Sequence, residues 1–148
     1  MSHAKVKTRP AGAEATLARA GRVVLTTDTG GLMAVTTHVS EPGFSPLDLL
    51  HSALAACLAL SARVAASRLG VLDRLEHVRV HVTGDKAEAG PSRIDRFHVR
   101  FEIEGDLDDT TRAAIIAAAE GEICTVSNTL RGMPAIVHDD MHGGAAAG

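Results

Sequence analysis

The chain has very few aromatic residues: three Phe, and no Trp or Tyr, among 148 residues. This shortage excludes a platform on which unpaired bases stack, as single-strand binding proteins use. The net charge of -3, from 15 basic and 18 acidic residues, also argues against a nucleic-acid-binding protein, which is usually basic on one face. A core without large rings must be built from Ala, Val, Leu and Ile, and association with another chain helps it to bury enough surface.

Long apolar runs are missing as well. No run reaches the roughly 18 residues that a membrane span needs. Residues 1–5, Met-Ser-His-Ala-Lys, lack the apolar segment of a secretory signal. We therefore expect a cytoplasmic protein that has no membrane partner. In that reducing compartment, two cysteines are more often free or redox-active than joined in a permanent disulfide.

Only two cysteines are present, Cys57 and Cys124, and no Cys-x-x-Cys motif joins them. Cys57 lies in an apolar helical stretch, where burial raises a thiol pKa, so we expect it to need a cation from elsewhere to become reactive. Cys124 lies near the start of a predicted short helix, whose dipole favours its thiolate. From these residues alone, the pair can be a structural disulfide, two inert core thiols or a peroxide-reducing couple.

Two kinds of strand pattern occur along the chain. Residues 14–27 and 32–39 are rich in Val, Thr and Leu and meet at a turn signal at 27–31, which predicts hairpin-linked strands. Residues 75–83 and 97–104 alternate between apolar and polar side chains. This alternation predicts an antiparallel pair with one face on a core and the other in water.

Helical patterns separate these strands. A long helix is predicted over Pro46–Arg68, with Ser45 as its N-cap. It is apolar over more than half of its circumference, which predicts burial in a core or at a subunit interface. Shorter helices are predicted at about 109–120 and 124–131, followed by a short strand at 135–137. This order indicates an α+β fold of antiparallel sheets with a long central helix.

The chain is predicted to form one domain at residues 14–142, between a flexible N-terminus at 1–13 and a disordered, low-complexity tail at 143–148. His138 and His142 have a ligand spacing, but no helix is predicted to fix them. We therefore predict no metal site and no cofactor.

The sequences around both cysteines resemble those of a known family. Residues 45–50 (Ser-Pro-Leu-Asp-Leu-Leu) and 53–57 (Ala-Leu-Ala-Ala-Cys) are similar to the first cysteine motif of the OsmC/Ohr superfamily, the osmotically inducible protein C and organic hydroperoxide resistance proteins. Residues 123–130 (Ile-Cys-Thr-Val-Ser-Asn-Thr-Leu) resemble its second motif, commonly Cys-Pro-Val-Ser followed by a leucine. The resemblance extends over about residues 14–138.

This resemblance implies an intertwined homodimer with two active sites at the interface. It also implies a thiol peroxidase that reduces organic or inorganic hydroperoxides, in which Cys57 attacks and Cys124 resolves the sulfenic acid as a disulfide. A thiol reductant, such as a lipoyl protein, thioredoxin or a small thiol, then restores the dithiol. The alternative is a non-enzymatic OsmC-like dimer that senses redox state or binds a ligand.

Members of this family activate the thiolate with an Arg from the N-terminal strands and a Glu that precedes the first cysteine. Arg19 resembles that Arg, and Arg22 is the second candidate. The resemblance therefore predicts Cys57, Cys124 and Arg19 as the catalytic residues.

The carboxylate of the family pattern is missing. Leu47 stands ten residues before Cys57, where the Glu is expected. Asp48 is adjacent, but on a regular helix it is rotated about half a turn away from Cys57. His51 also lies off the Cys57 face. This departure favours a divergent branch of the family.

Overall fold

A computed structural model describes residues 9–139. It has two antiparallel sheets, one helix of 23 residues and shorter helices, so the predicted α+β fold is confirmed. The chain forms two compact units, one up to Ser52 and the other from Ala53 onward. The domain boundaries at residues 14 and 142 stay a prediction, and the predictions for 1–8 and for 140–148 lie outside the described residues.

The first unit contains a three-stranded antiparallel sheet in the order β1-β2-β3. Its strands are β1 (Ala13–Thr16), β2 (Val23–Thr27) and β3 (Leu32–Val35). Thr27 closes the β2–β3 turn: its carbonyl accepts the Gly30 N–H at 2.9 Å, and its hydroxyl accepts the Gly31 N–H at 2.8 Å. The predicted hairpin is therefore confirmed.

The N-terminal strands are shorter than predicted. The run 14–27 is divided by a bend that contains Gly21, whose φ of 116° is a backbone conformation that takes the chain out of a strand. The run 32–39 ends at Val35, because the Thr36 N–H bonds to the carbonyl of Phe44 at 3.0 Å rather than to a neighbouring strand. Composition alone did not reveal either interruption.

The long helix α1 spans Pro46–Arg68, as predicted. Ser45 and Asp48 form a reciprocal cap: the Asp48 N–H donates to Ser45 Oγ at 3.1 Å, and the Ser45 N–H donates to Asp48 Oδ2 at 2.9 Å. At the other end, Gly70 has a φ of 72°, a left-handed conformation that stops a helix. Local capping chemistry therefore fixes both ends of α1.

By length and composition alone, α1 could cross a membrane. By that test, the expectation that no stretch is long and apolar enough is wrong. The core helix of a soluble protein also passes this test. Part of α1 belongs instead to the core of the second unit. Its buried residues are Leu54, Leu58, Ser61, Ala62, Ala65 and Ala66.

The second unit contains an antiparallel pair of long strands, β4 (Leu75–Lys86) and β5 (Ile94–Gly105). As predicted, their apolar side chains are partly buried on one face and their polar side chains are exposed on the other. A 3-10 turn (Leu72–Arg74) precedes the strand pair. The pair is followed by α2 (Asp109–Ala118), a π turn (Ala119–Ile123) and α3 (Thr125–Gly132). The apolar face of the pair packs against residues of the helices in two core clusters.

The predicted last strand at 135–137 is wrong. These residues form no strand, and the side chains of Ile136 and Val137 are 89% and 75% exposed. Met133 adopts a left-handed conformation with a φ of 45°, and Pro134 has no N–H to donate to a ladder. Without a neighbouring strand, an apolar triplet does not form β-structure.

Candidate active site

The two cysteines meet inside the second unit. Cys57 lies in the middle of α1, and Cys124 is the residue directly before α3. Cys124 forms a buried cluster with Leu54 and Leu58, and Cys57 packs against it. Both cysteines are free thiols, and the Cys124 side chain helps to lower the pKa of Cys57. The structure thus brings together the two predicted cysteines.

Cys124 is fully buried and held from both sides. As the N-cap of α3, its Sγ accepts the backbone N–H of Ser127 at 3.3 Å. Its own N–H donates to the carbonyl of Ala119, in the π turn, at 3.0 Å. Burial and the neighbouring Cys57 raise the pKa of the Cys124 thiol. Hydrogen bonds from the amides of Ser127 and Val126 lower it, but by less. The start of α3 therefore favours the Cys124 thiolate, as the sequence predicted, but burial and the neighbouring Cys57 outweigh it.

Cys57 is half-buried, and its pKa is lowered. Burial is the largest single influence and acts to raise this pKa, but four hydrogen bonds together outweigh it. These come from the backbone N–H of Val126, the Cys124 thiol, the Ser61 hydroxyl and the backbone N–H of Thr125. Cys57 is thus the more acidic thiol of the pair.

Backbone N–H groups in the first turn of α3 supply much of the thiolate stabilisation that Cys57 was expected to need from a cation. A helix N-terminus has backbone N–H groups without helical partners. Here the amides of Thr125 and Val126 lower the pKa of Cys57, and Val126 and Ser127 act in the same way on Cys124. Sequence reasoning missed this role, because residues 57 and 125–126 meet only in the folded chain. Ser61 could have been found, since it lies one turn after Cys57 on the same helix face.

Cys57 borders an exposed apolar stripe on α1. The stripe consists of Ala53, Ala56, Leu60 and Val64, which helical rotation places on one face. Leu60 is 55% exposed and Val64 is 42% exposed. An aliphatic reactant or a second protein chain would find apolar surface beside the Cys57 sulfur.

The candidate arginines lie in the first unit. Arg19 is exposed in the bend between β1 and β2 and forms no ion pair among residues 9–139. Arg22 forms an ion pair with Glu41, whose other oxygen accepts the Thr36 hydroxyl at 2.8 Å. The Thr36 hydrogen bond, helped by the charge of Arg22, lowers the pKa of Glu41. Because Cys57 belongs to the other unit, the catalytic role of Arg19 stays a prediction.

The residues near the missing carboxylate have other partners. The Asp48 carboxylate accepts the Ser45 N–H within the α1 cap, and hydrogen bonds from the backbone and hydroxyl of Ser45 lower its pKa. His51 Nδ1 lies 2.7 Å from the carbonyl oxygen of Leu47. Leu47 itself is 41% exposed. Among residues 9–139, no group of three or more His, Cys, Asp or Glu could hold a metal ion.

Comparison with protein families identifies the chain. Residues 38–139, more than half of its length, match the family of OsmC-like proteins. The chain belongs to the OsmC/Ohr superfamily. A search of curated proteins finds no match. The family match covers both cysteine motifs and all of the second unit up to residue 139.

Solved structures of this superfamily share the fold. An OsmC-like protein from Mycoplasma pneumoniae superposes with a TM-score of 0.71 at 21% identity, over 85% of this chain and 90% of that one. The organic hydroperoxide resistance protein OhrB of Bacillus subtilis gives 0.62 at 23% identity, over 82% and 90%. An organic hydroperoxide resistance protein from Elizabethkingia anophelis gives 0.68 at 17% identity, over 86% and 92%. At these identities the likeness establishes the fold.

Proposed function

We propose that this OsmC-like protein is a thiol-dependent peroxidase that reduces organic or inorganic hydroperoxides. The proposal rests on one observation: an accessible thiol of lowered pKa, Cys57, is in contact with a buried thiol of raised pKa, Cys124. Nucleophilic attack requires a thiolate, and resolution requires a second thiol within reach. Structural relatives named as organic hydroperoxide resistance proteins support this function.

The reaction divides between the two sulfurs. The Cys57 thiolate attacks the distal oxygen of the hydroperoxide, the O–O bond breaks, and the alkoxide takes a proton to leave as an alcohol. Cys57 becomes a sulfenic acid, Cys-SOH. The Cys124 sulfur then attacks the Cys57 sulfur, and hydroxide leaves with the Cys124 proton as water. The product is a Cys57–Cys124 disulfide, which two thiol groups of the reductant reduce.

The contacts of each sulfur suit its part in this sequence. The amides of Thr125 and Val126 favour the thiolate of Cys57 before the attack. Cys124 stays protonated and out of contact with solvent, so the peroxide reacts with Cys57 instead. We propose Arg19 as the cation that assists Cys57, because it resembles the family's arginine and lacks an ion pair among residues 9–139.

We further propose that the protein is a cytoplasmic homodimer. The stripe of Ala53, Ala56, Leu60 and Val64 leaves apolar area on α1 exposed in a single chain. A monomer rarely leaves such a continuous patch in water, and a second copy would cover it. Light scattering on the purified protein tests this, because a monomer mass at micromolar concentration contradicts it. The reductant is a lipoyl protein, thioredoxin or a small thiol.

A non-enzymatic redox sensor is the second candidate. Leu47 in place of the expected carboxylate favours it, because a slow peroxidase and a sensor differ in turnover rather than in cysteine chemistry. Multiple-turnover consumption of tert-butyl hydroperoxide with excess dithiothreitol separates the two. A peroxidase consumes many equivalents, and its Cys57→Ser variant consumes none above background. A sensor forms the disulfide once and stops.

A further inference from the structure

The two sulfurs of the proposed disulfide differ in access. Cys57 is half-buried, whereas Cys124 is fully buried. We infer that the thiol reductant attacks the sulfur of Cys57, so that the mixed disulfide of the reductive half-reaction forms on Cys57 and Cys124 leaves. This inference rests on the proposed function, since it needs the Cys57–Cys124 disulfide.

Cys124 is enclosed on the side away from Cys57. Its cluster partners Leu54 and Leu58 are 4% and 1% exposed, and Val126 and Leu130 pack against the cluster. A cavity of about 310 Å³ lies beside this cluster, but Cys124 does not line it. Its lining residues are Leu54, Leu58, Phe97, Val99, Glu120, Ser127, Leu130 and Arg131. The cavity therefore gives no entry to the Cys124 sulfur.

The direction of attack makes this enclosure decisive. A thiolate displaces a disulfide sulfur in line, from the side opposite to the leaving sulfur. For attack on Cys124, that side faces away from Cys57 and into the packed cluster. For attack on Cys57, the core need not open, because Cys57 only packs against that cluster and stays partly exposed. Only the second approach leaves the core intact.

Leaving-group chemistry acts in the opposite sense. The thiol of lower pKa leaves faster, which favours attack on Cys124 with release of Cys57. Access also sets the rate of exchange, however. The buried sulfur reacts only after α3 opens, whereas the Cys57 sulfur reacts in the folded state. The inference therefore predicts that access overrides leaving-group preference.

The exchange steps balance. A reductant thiolate bonds to Cys57 Sγ, the S–S bond breaks, and its electron pair goes to Cys124 Sγ, which takes a proton. A second reductant thiolate then attacks the reductant sulfur of the mixed disulfide. The Cys57 thiolate leaves, and the reductant departs oxidised as its disulfide. Two electrons pass from two reductant thiols to the two cysteines.

The test maps the first adduct. The full chain is oxidised with diamide, which forms the disulfide without any peroxide, and is then mixed with 2-mercaptoethanol and quenched with acid at short times. Trypsin separates the two cysteines, because Cys57 falls in residues 23–63 and Cys124 in residues 113–131. We expect the mercaptoethanol adduct on Cys57 to exceed that on Cys124 by about tenfold or more. Equal adducts, a Cys124 adduct in excess or failure of the disulfide to form would overturn the inference.

A second measurement uses the reduced single-cysteine variants. In Cys124→Ser, Cys57 should react quickly with a chromogenic disulfide reagent such as DTNB. In Cys57→Ser, Cys124 should react about a hundredfold more slowly until guanidinium unfolds the chain. Similar rates in the two folded variants would contradict the inference. Because neither arm uses peroxide, a missing peroxidase activity is read separately and defeats only the proposed function.

Discussion

Cys57 packs against the core cluster that contains Cys124, and the pKa values of the two thiols are shifted in opposite directions. The start of the short helix α3 favours both thiolates, but burial outweighs it at Cys124. It donates the amides of Thr125 and Val126 to Cys57, and its N-cap position holds Cys124 in the core. Hydrogen bonding therefore marks Cys57 as the attacking sulfur, and burial marks Cys124 as the resolving one.

The first prediction concerns the resolving step. In the Cys124→Ser variant, one equivalent of hydroperoxide should leave Cys57 as a sulfenic acid, because no second thiol remains to expel the hydroxyl group as water. Dimedone labelling followed by mass spectrometry detects this species. The wild-type protein is the control and should label weakly, since Cys124 resolves the sulfenic acid. Equal labelling of the two proteins would remove Cys124 from the mechanism.

The second prediction concerns pH. Because the folded pKa of Cys57 is lowered, its thiolate persists below the pKa of a free cysteine. The rate of iodoacetamide alkylation at Cys57 should therefore rise with pH and reach its midpoint below that value. Once the pH falls below the folded pKa, the rate should drop by about tenfold per pH unit. A midpoint above that of free cysteine would contradict the assignment.

The third prediction concerns Ser61. Its hydroxyl bonds to Cys57, so Ser61→Ala should raise the pKa of Cys57 and shift the alkylation midpoint upward. Ser67→Ala is the matched control, because Ser67 is exposed on the same helix. The control should keep the wild-type midpoint. If both variants behaved alike, Ser61 would have no part in activating Cys57.

The fourth prediction separates the arginines. Arg19→Ala should lower the peroxidase rate by about tenfold or more, because the proposed cation beside the thiolate is lost. Arg22→Ala should have the smaller effect, since Arg22 is already paired with Glu41. Steady-state rates at neutral pH measure both, and circular dichroism confirms that the variants fold. The reverse order would transfer the catalytic role to Arg22.

The fifth prediction concerns the start of α1. Ser45→Ala should lower the free energy of unfolding by about 1 kcal/mol, because the helix loses its N-cap. Asp48→Asn should also destabilise the fold but leave the peroxidase rate unchanged, since the Asp48 carboxylate serves the cap. Urea denaturation and steady-state rates make the comparison. A large loss of rate in folded Asp48→Asn would mean that Asp48 replaces the missing carboxylate.

Much of the fold follows from local sequence signals. The ends of α1 were predicted because Ser45, Pro46 and Gly70 act within one turn of the helix, and β4 and β5 because their alternation matches one buried face. The bend at Gly21 and the absence of a strand at 135–137 depend on pairing with other segments. Such pairing is not encoded in a short run of residues.

The site was predictable only in part. The motifs around Cys57 and Cys124 identified both sulfurs, and the structure brings the two together. The hydrogen bonds from Thr125 and Val126 to Cys57 were not predicted, because they join residues far apart in the chain. For the same reason, the raised pKa of Cys124 was missed: it follows from burial and from the neighbouring Cys57.

The most direct test of the central claim is the intact mass of the protein after one equivalent of tert-butyl hydroperoxide, with peptide mapping of the product. We predict that the wild-type chain loses two hydrogen atoms as one equivalent of alcohol is released, that the peptides of Cys57 and Cys124 become joined, and that dithiothreitol then restores both thiols. An unchanged mass, or an oxygen added elsewhere while both thiols stay free, would contradict the account.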